Sequence, residues 1–188
     1  MKTAATLTLL AGCLSLLALA ACQQPATQSA SSAQTSTDDA HRANVLEGVW
    51  RIDQAHEVDS TGQTTNSYPQ TNVVIFTAGH YSFVWTFGAA PRQPAADRWF
   101  PTDAEKIEAF NSIIVNTGTY ELTDSTLVTR PIAAKSQEYV RGGYSDYEYR
   151  VEGDTLYLTG TSLVSFDGVS LDFYLGGGRD NYTLVRVE

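Results

Sequence analysis

An all-β fold, laid out as an up-and-down meander, is what this sequence predicts, and three observations carry it. From Leu46 onward, short runs rich in Val, Ile, Thr, Tyr and Phe recur at regular spacing. Turns built from Gly, Asp, Asn and Ser separate them, and most joins are short enough for hairpins. Only one stretch, near Thr102, carries a helix signal. Many short strands of this kind fit a sandwich or an up-and-down barrel. The hairpin-like connections favour a meander that closes on itself and so leaves no exposed edge.

The first strand-like run is Leu46-Glu47-Gly48-Val49-Trp50-Arg51-Ile52-Asp53. Leu46, Gly48, Trp50 and Ile52 fall on one face, the period-2 pattern of a half-buried strand. Trp50 is the bulkiest group on that face, and Gly48 leaves room beside it for a neighbouring backbone. Ser60-Thr61-Gly62 and Asn66-Ser67-Tyr68-Pro69 are loop chemistry. Asn72 to Thr77 is a strand, Ala78-Gly79-His80 a tight turn, and Tyr81 to Phe87 the partner strand. Its odd positions, Tyr81, Phe83, Trp85 and Phe87, put four rings on one face.

Pro91 and Pro94 break the segment that follows. Thr102-Asp103-Ala104-Glu105 is then a capping box preceded by Pro101. Ile107, Phe110 and Ile113 or Ile114 recur at helical spacing, which predicts a short helix over about 102–114 with its apolar stripe packed on the body. The remaining runs are strands. Gly118 to Leu122 turns into Thr126 to Ile132, and Tyr144 to Val151 into Thr155 to Thr159. Leu163 to Phe166 turns at Asp167-Gly168 toward Leu171 to Tyr174, and Tyr182 to Val187 comes last. Pro131 signals an edge or a bulge. Tyr147 and Tyr149 share one face of their strand, while Tyr144, Asp146, Glu148 and Arg150 alternate on the solvent side.

With 188 residues and 43% hydrophobic content, the chain can bury a single core and carry accessories. Its formal charge is −9; without the first 21 residues, eleven bases face 21 acids, giving −10. No Lys/Arg cluster is present, which excludes nucleic acid as a partner. His41, His56 and His80 are scattered and no Cys follows Cys22, so no Cys/His zinc pattern exists. A carboxylate metal site is left open, although no EF-hand loop occurs. His56 and His80 have no spaced Ser, Cys or Asp to work with, and Asp146 with Glu148 are carboxylates on an exposed strand. No catalytic residue and no cofactor is assigned, and the reading is not an enzyme. The sequence carries no signature of oligomeric state.

Met1-Lys2 is a short positive start, and Ala4 to Ala20 is an apolar run too short to stay in a membrane, as in an export signal. It ends in Leu19-Ala20-Ala21-Cys22, which resembles the lipobox of bacterial lipoproteins. That resemblance implies a leader over 1–21, cleavage before Cys22, and palmitate-type acyl chains on its sulfur and amine. More than one chain is needed for stable anchoring. The alternative is an ordinary signal peptide in which Cys22 is incidental. Gln23 stands after the Cys where Asp would favour inner-membrane retention, so the resemblance implies the outer membrane, facing the periplasm. Residues 22–43 are rich in Gln, Ala, Ser and Thr with almost nothing to bury, the composition of a disordered tether of reach ~25 Å. The body is 44–188.

From Leu46 to Glu188 the chain is similar to the bacterial lipocalin-like domain family, a calycin-type β-barrel. The pieces that carry the likeness are Leu46-Glu47-Gly48-Val49-Trp50-Arg51, Gly79-His80-Tyr81-Ser82 and Pro101-Thr102-Asp103-Ala104-Glu105-Lys106. Further on are Gly118-Thr119-Tyr120-Glu121, Arg130-Pro131-Ile132-Ala133-Ala134-Lys135, Gly153-Asp154-Thr155-Leu156 and Leu184-Val185-Arg186. The resemblance implies a closed eight-stranded barrel whose cavity takes a small apolar or amphipathic molecule. It also implies that Trp50, beside Gly48, plugs one end and that Arg186 lies over it. Haem-binding relatives use a late His, and nothing after His80 is His here; Cys-dependent relatives have no counterpart in a body without Cys.

The candidate ligand site is therefore the stripe Tyr81, Phe83, Trp85 and Phe87, which either lines a cavity or fills the core. Arg130 and Lys135, flanking Pro131, either meet a carboxylate-bearing ligand at the rim or are two solvated charges. Two functions compete: a lipid-anchored envelope module that binds a small ligand, and a structural or interaction lipoprotein with a filled barrel. Membrane contact is through the anchor alone. A membrane-crossing barrel is a third reading, opposed by short strands with charged outer faces.

Overall fold

Strand β1 (Gly48–Val58) buries Trp50, Ile52 and Ala55 and exposes Arg51, Asp53 and Gln54. A bulge between Ile52 and Gln54 shifts the alternation by one, which turns Ala55 inward and Gln54 outward. The computed structural model describes residues 45–139 and 141–188. The leader over 1–21, the lipidation residue Cys22 and the tether to residue 43 lie outside the described residues.

The other strands are β2 (Thr64–Asn66), β3 (Pro69–Phe76), β4 (His80–Phe87), β5 (Ile113–Leu122), β6 (Thr126–Ala134), β7 (Tyr144–Glu152), β8 (Thr155–Val164) and β9 (Arg179–Arg186). Every pairing is antiparallel between neighbours, and β9 returns to pair with β1 from Trp50↔Arg186 to Val58↔Arg179. On its other edge β1 pairs with β3 over Gly48–Trp50 and with β2 over His56–Val58. β2 and β3 thus share one place in the wall, and the body is a closed eight-stranded antiparallel barrel, as the sequence predicts. It is consistent with a lipocalin-like fold. Closure pairs both edges of the sheet, so the barrel offers no long unpaired strand.

Among the described residues, α1 (Asp103–Asn111) and the single turn α2 (Asp172–Leu175) stand outside the wall. Gln137–Tyr139 forms a 3-10 turn. The capping box of α1 is present, with Thr102 Oγ1 accepting from Glu105 N and Glu105 Oε2 accepting from Thr102 N at 2.7 Å.

The helix departs from expectation at its end and on its apolar side. It stops at Asn111 rather than 114, because Ile113-Ile114-Val115 is a β-branched run that joins β5 and pairs with Thr86, Trp85 and Val84. With those residues gone, the stripe shrinks to Ile107 and Phe110. These are 61% and 54% exposed, and no α1 residue is buried. The packed apolar stripe predicted from sequence is therefore corrected.

Leu171 to Tyr174 is not a strand either. The turn after β8 makes one bridge, Val164↔Ser170, and one further bond, Leu171 N to Leu163 O at 2.9 Å, and the ladder ends there. From Asp172 the backbone bonds itself instead, Gly176 N donating to Asp172 O at 2.8 Å.

The strands span 8–11 residues apart from β2, longer than the sequence reading held, so length no longer argues against a membrane-crossing barrel. Polarity does: ion pairs Arg51–Asp53, Arg130–Glu121 and Arg150–Glu152 lie on the outer face, and the core is inside. Among the described residues no helix is long and apolar enough to cross a membrane.

One end of the barrel is sealed. Trp50, Val74, Phe76, Leu127, Leu156 and Leu184 are buried there, beneath turns of a few residues after β3, β5 and β7. The other end carries the longer connections, 59–63, 88–112, 135–143 and 165–178. That asymmetry puts the site at the second end.

Candidate functional site

The sealed end is built first. Trp50 is 0% exposed and its Nε1 donates to Leu46 O at 2.8 Å. The Arg186 guanidinium lies over the ring, donating from Nη1 to Glu47 O at 2.5 Å and from Nη2 to Val45 O at 3.1 Å. Gly48 adopts φ +135, and a Cβ there would sit 2.5 Å from both Arg186 Nη1 and Glu188 O. The three residues thus interlock.

Above this floor the interior is not full. A cavity of about 250 Å³ occupies the upper barrel. Tyr81, Phe83, Trp85 and Phe87 all line it, because alternation on β4 turns each odd position inward. Their rings pack edge to face or tilted: Tyr81–Phe83 at 5.9 Å, Trp85–Phe87 at 5.4 Å, and Trp85–Tyr182 at 6.2 Å with 88° between planes. The Tyr81 hydroxyl donates to Asn116 Oδ1 at 2.5 Å. Burial pushes its pKa well up, so it is a neutral donor at any physiological pH.

Across from the rings the wall is polar and acidic. β1 brings His56 and Glu57, the 3-10 turn brings Glu138 and Tyr139, β7 brings Tyr147, α2 brings Tyr174, and β9 brings Asp180 and Tyr182. Glu57 and Asp180 are register partners on adjacent strands. The Tyr174 hydroxyl donates to Asp180 Oδ2, and the Tyr139 hydroxyl is 2.7 Å from Ser145 Oγ. Burial raises the Asp180 carboxyl above its usual range, against the Tyr174 bond, which lowers it. Glu57 is raised by burial and then by the Asp180 charge. Burial pushes Tyr139 up to about 12. Tyr147 and Tyr182 are raised too, first by burial.

Arg130 and Lys135 do not line this cavity. Arg130 Nε bonds Glu121 Oε1 at 3.1 Å and its guanidinium lies 5.2 Å from the Tyr144 ring centroid. Lys135 Nζ lies 4.7 Å from the Phe110 ring centroid. The bulge expected near Pro131 is present: Thr117 faces Ala133 while Gly118 faces Pro131. Arg130 points outward by ordinary alternation next to buried Thr129, and Lys135 follows the bulge, past the pairing of β6 with β7 over Thr126–Thr129.

Sequence reasoning missed the acidic and phenolic wall, which assembles from five segments without a motif. One signal was available. Counting back by twos from Arg186 gives Leu184, Tyr182 and Asp180, all inward.

No protein-family model matches the chain, and no curated protein sequence matches it significantly.

Proposed function

We propose that this protein is an envelope lipoprotein, anchored through acylated Cys22, whose lipocalin-like barrel binds a small apolar or amphipathic molecule at its open end. The observation that carries the ligand reading is the cavity of about 250 Å³ walled by Tyr81, Phe83, Trp85 and Phe87. These rings offer wide apolar contact with few torsions to freeze on binding. The volume lies below the ~300–1,000 Å³ typical of pockets for drug-sized molecules. A cavity of that size suits a compact ligand. The cavity, and not the Arg130–Lys135 edge, is where such a ligand would sit.

The test is native mass spectrometry of the purified protein, joined to tryptophan emission. A retained small mass, with emission changed on its removal, is the expected result. Phe87→Ala, at a half-buried position, should weaken retention while leaving the barrel folded. A protein that retains nothing and whose emission responds to no compact aromatic or aliphatic compound would end the ligand reading.

A second reading, an interaction lipoprotein, draws on the segment before and along α1. Trp99 and Phe100 are 80% and 81% exposed, close in sequence to the exposed Ile107 and Phe110. Large apolar side chains gathered in solvent are the mark of a contact surface. Replacing Trp99 and Phe100 with Ser would abolish envelope cross-links under this reading and leave small-molecule retention untouched under the first.

A further inference from the structure

We propose that the ligand is a small organic cation, an ammonium group carrying an apolar or aromatic body, held between the carboxylates of Glu57 and Asp180 and the rings around Trp85. This rests on the cavity being a ligand site and adds the charge of what it takes.

The cavity wall has three carboxylates, Glu57, Glu138 and Asp180, and besides His56 no basic side chain lines it. Among the described residues, the ion pairs use Asp53, Asp103, Glu121, Glu152 and Asp154, so none of the three wall carboxylates is taken by a cation. Asp180 has the Tyr174 hydroxyl as its hydrogen-bond donor, and Glu57 stands beside it in register. Two neighbouring carboxylates without a counter-ion, Asp180 half-buried and Glu57 exposed beside it, repel each other and attract any cation that enters. A recess with low-dielectric walls focuses that field.

The second component is independent of the carboxylates. Trp85 and Tyr182 meet edge to face, Phe87 tilts against Trp85, and all three rings present surface to the cavity. An ammonium ion over such faces gains the ring quadrupole attraction, larger where water is excluded. The hydroxyls of Tyr147 and Tyr182 have no hydrogen-bond partner among the described residues, yet no buried side-chain polar atom is left unsatisfied there. Both hydroxyls therefore open onto the cavity and are free to accept an N–H from a ligand. An anion gains none of this and meets three like charges.

The experiment uses the full chain at neutral pH and three matched probes: 2-phenylethylammonium, 2-phenylethanol and 3-phenylpropionate. Isothermal titration and tryptophan emission read affinity. The cation should bind at least about tenfold tighter than the alcohol, and the carboxylate should show no saturable binding. Asp180→Asn should bring the cation-to-alcohol ratio close to one; Glu57→Gln makes the same comparison should the first variant not fold. An alcohol that binds as tightly as the cation overturns this inference and leaves the ligand reading standing. Binding by none of the three also overturns it, and the native mass spectrum then decides whether the ligand reading falls as well.

Discussion

The Arg186 guanidinium carbon lies 4.1 Å from the centroid of the Trp50 ring, and the two residues face each other in register on β9 and β1. This contact ties the last strand to the first across the seam that closes the barrel. Trp50→Ala should cost about 3–5 kcal/mol, since the ring is fully buried. Arg186→Lys should cost about 1–2 kcal/mol, because an ammonium cannot reach both Val45 O and Glu47 O, and part of the side chain is exposed. Denaturant midpoints measure both, and a wild-type midpoint for either would show that the pair does not hold the seam.

Gly118 gives a sharper backbone test. A Cβ at this position would lie 2.0 Å from Arg130 O and 2.7 Å from Pro131 Cα, where the bulge brings two main chains together. Those are backbone atoms and cannot swing aside. Gly118→Ala should therefore cost about 3 kcal/mol or more, or prevent folding. Gly79→Ala is the control, with nothing within 4 Å, and should be neutral or gain up to about 1 kcal/mol. Equal thermal midpoints for the two variants would contradict the geometry.

Asp180 makes a pH-dependent contribution whose sign is fixed. Burial raises its folded pKa above the ordinary 3.8, so the folded state holds the proton more tightly than the unfolded chain. Its contribution to stability is full below about 3.8 and is lost as pH rises through the raised folded value. Asp180→Asn should accordingly melt higher than the wild type at pH 7, with the gap closing toward pH 3.5. Glu57, shifted the same way and partly by Asp180 itself, should relax in the variant and act in the same direction. A variant that melts at or below the wild type at pH 7 would place the carboxylate in a better-compensated setting.

Anchoring is tested at Cys22. The mature protein should carry acyl mass at its first residue and partition into detergent, and Cys22→Ser should abolish both. A wild-type protein without acyl mass would refute the anchor.

Periodicity of two made the barrel wall legible, because it depends only on which residues alternate. Trp50, Ile52 and the Tyr81-to-Phe87 stripe face inward as read. Periodicity failed where two elements compete for the same residues. Ile113 and Ile114 satisfy a helical stripe and a β-branched strand equally well on paper, and the unpaired edge of β4 decides between them. Leu171 to Tyr174 looks like a strand, but its pairing with β8 stops at Leu171 and Asp172–Leu175 closes a helical turn instead, a competition that the local run does not decide. The acidic wall was illegible for a related reason. Glu57 and Asp180 are neighbours only through the β1–β9 seam, and spacing along the chain says nothing about which strands close on each other.

Val49 N donates to Glu188 O at 2.9 Å, so β1 starts where β9 stops. In graph terms the barrel is nearly a ring, cut at one point on the sealed floor. A short peptide joining residue 188 to residue 45 would complete that ring, and new ends could be opened in the exposed 88–101 segment without breaking a strand pairing. Such a permuted chain would put its ends beside the mouth. A reporter domain attached there would sit beside the cavity, while one attached after residue 188 would hang from the opposite pole.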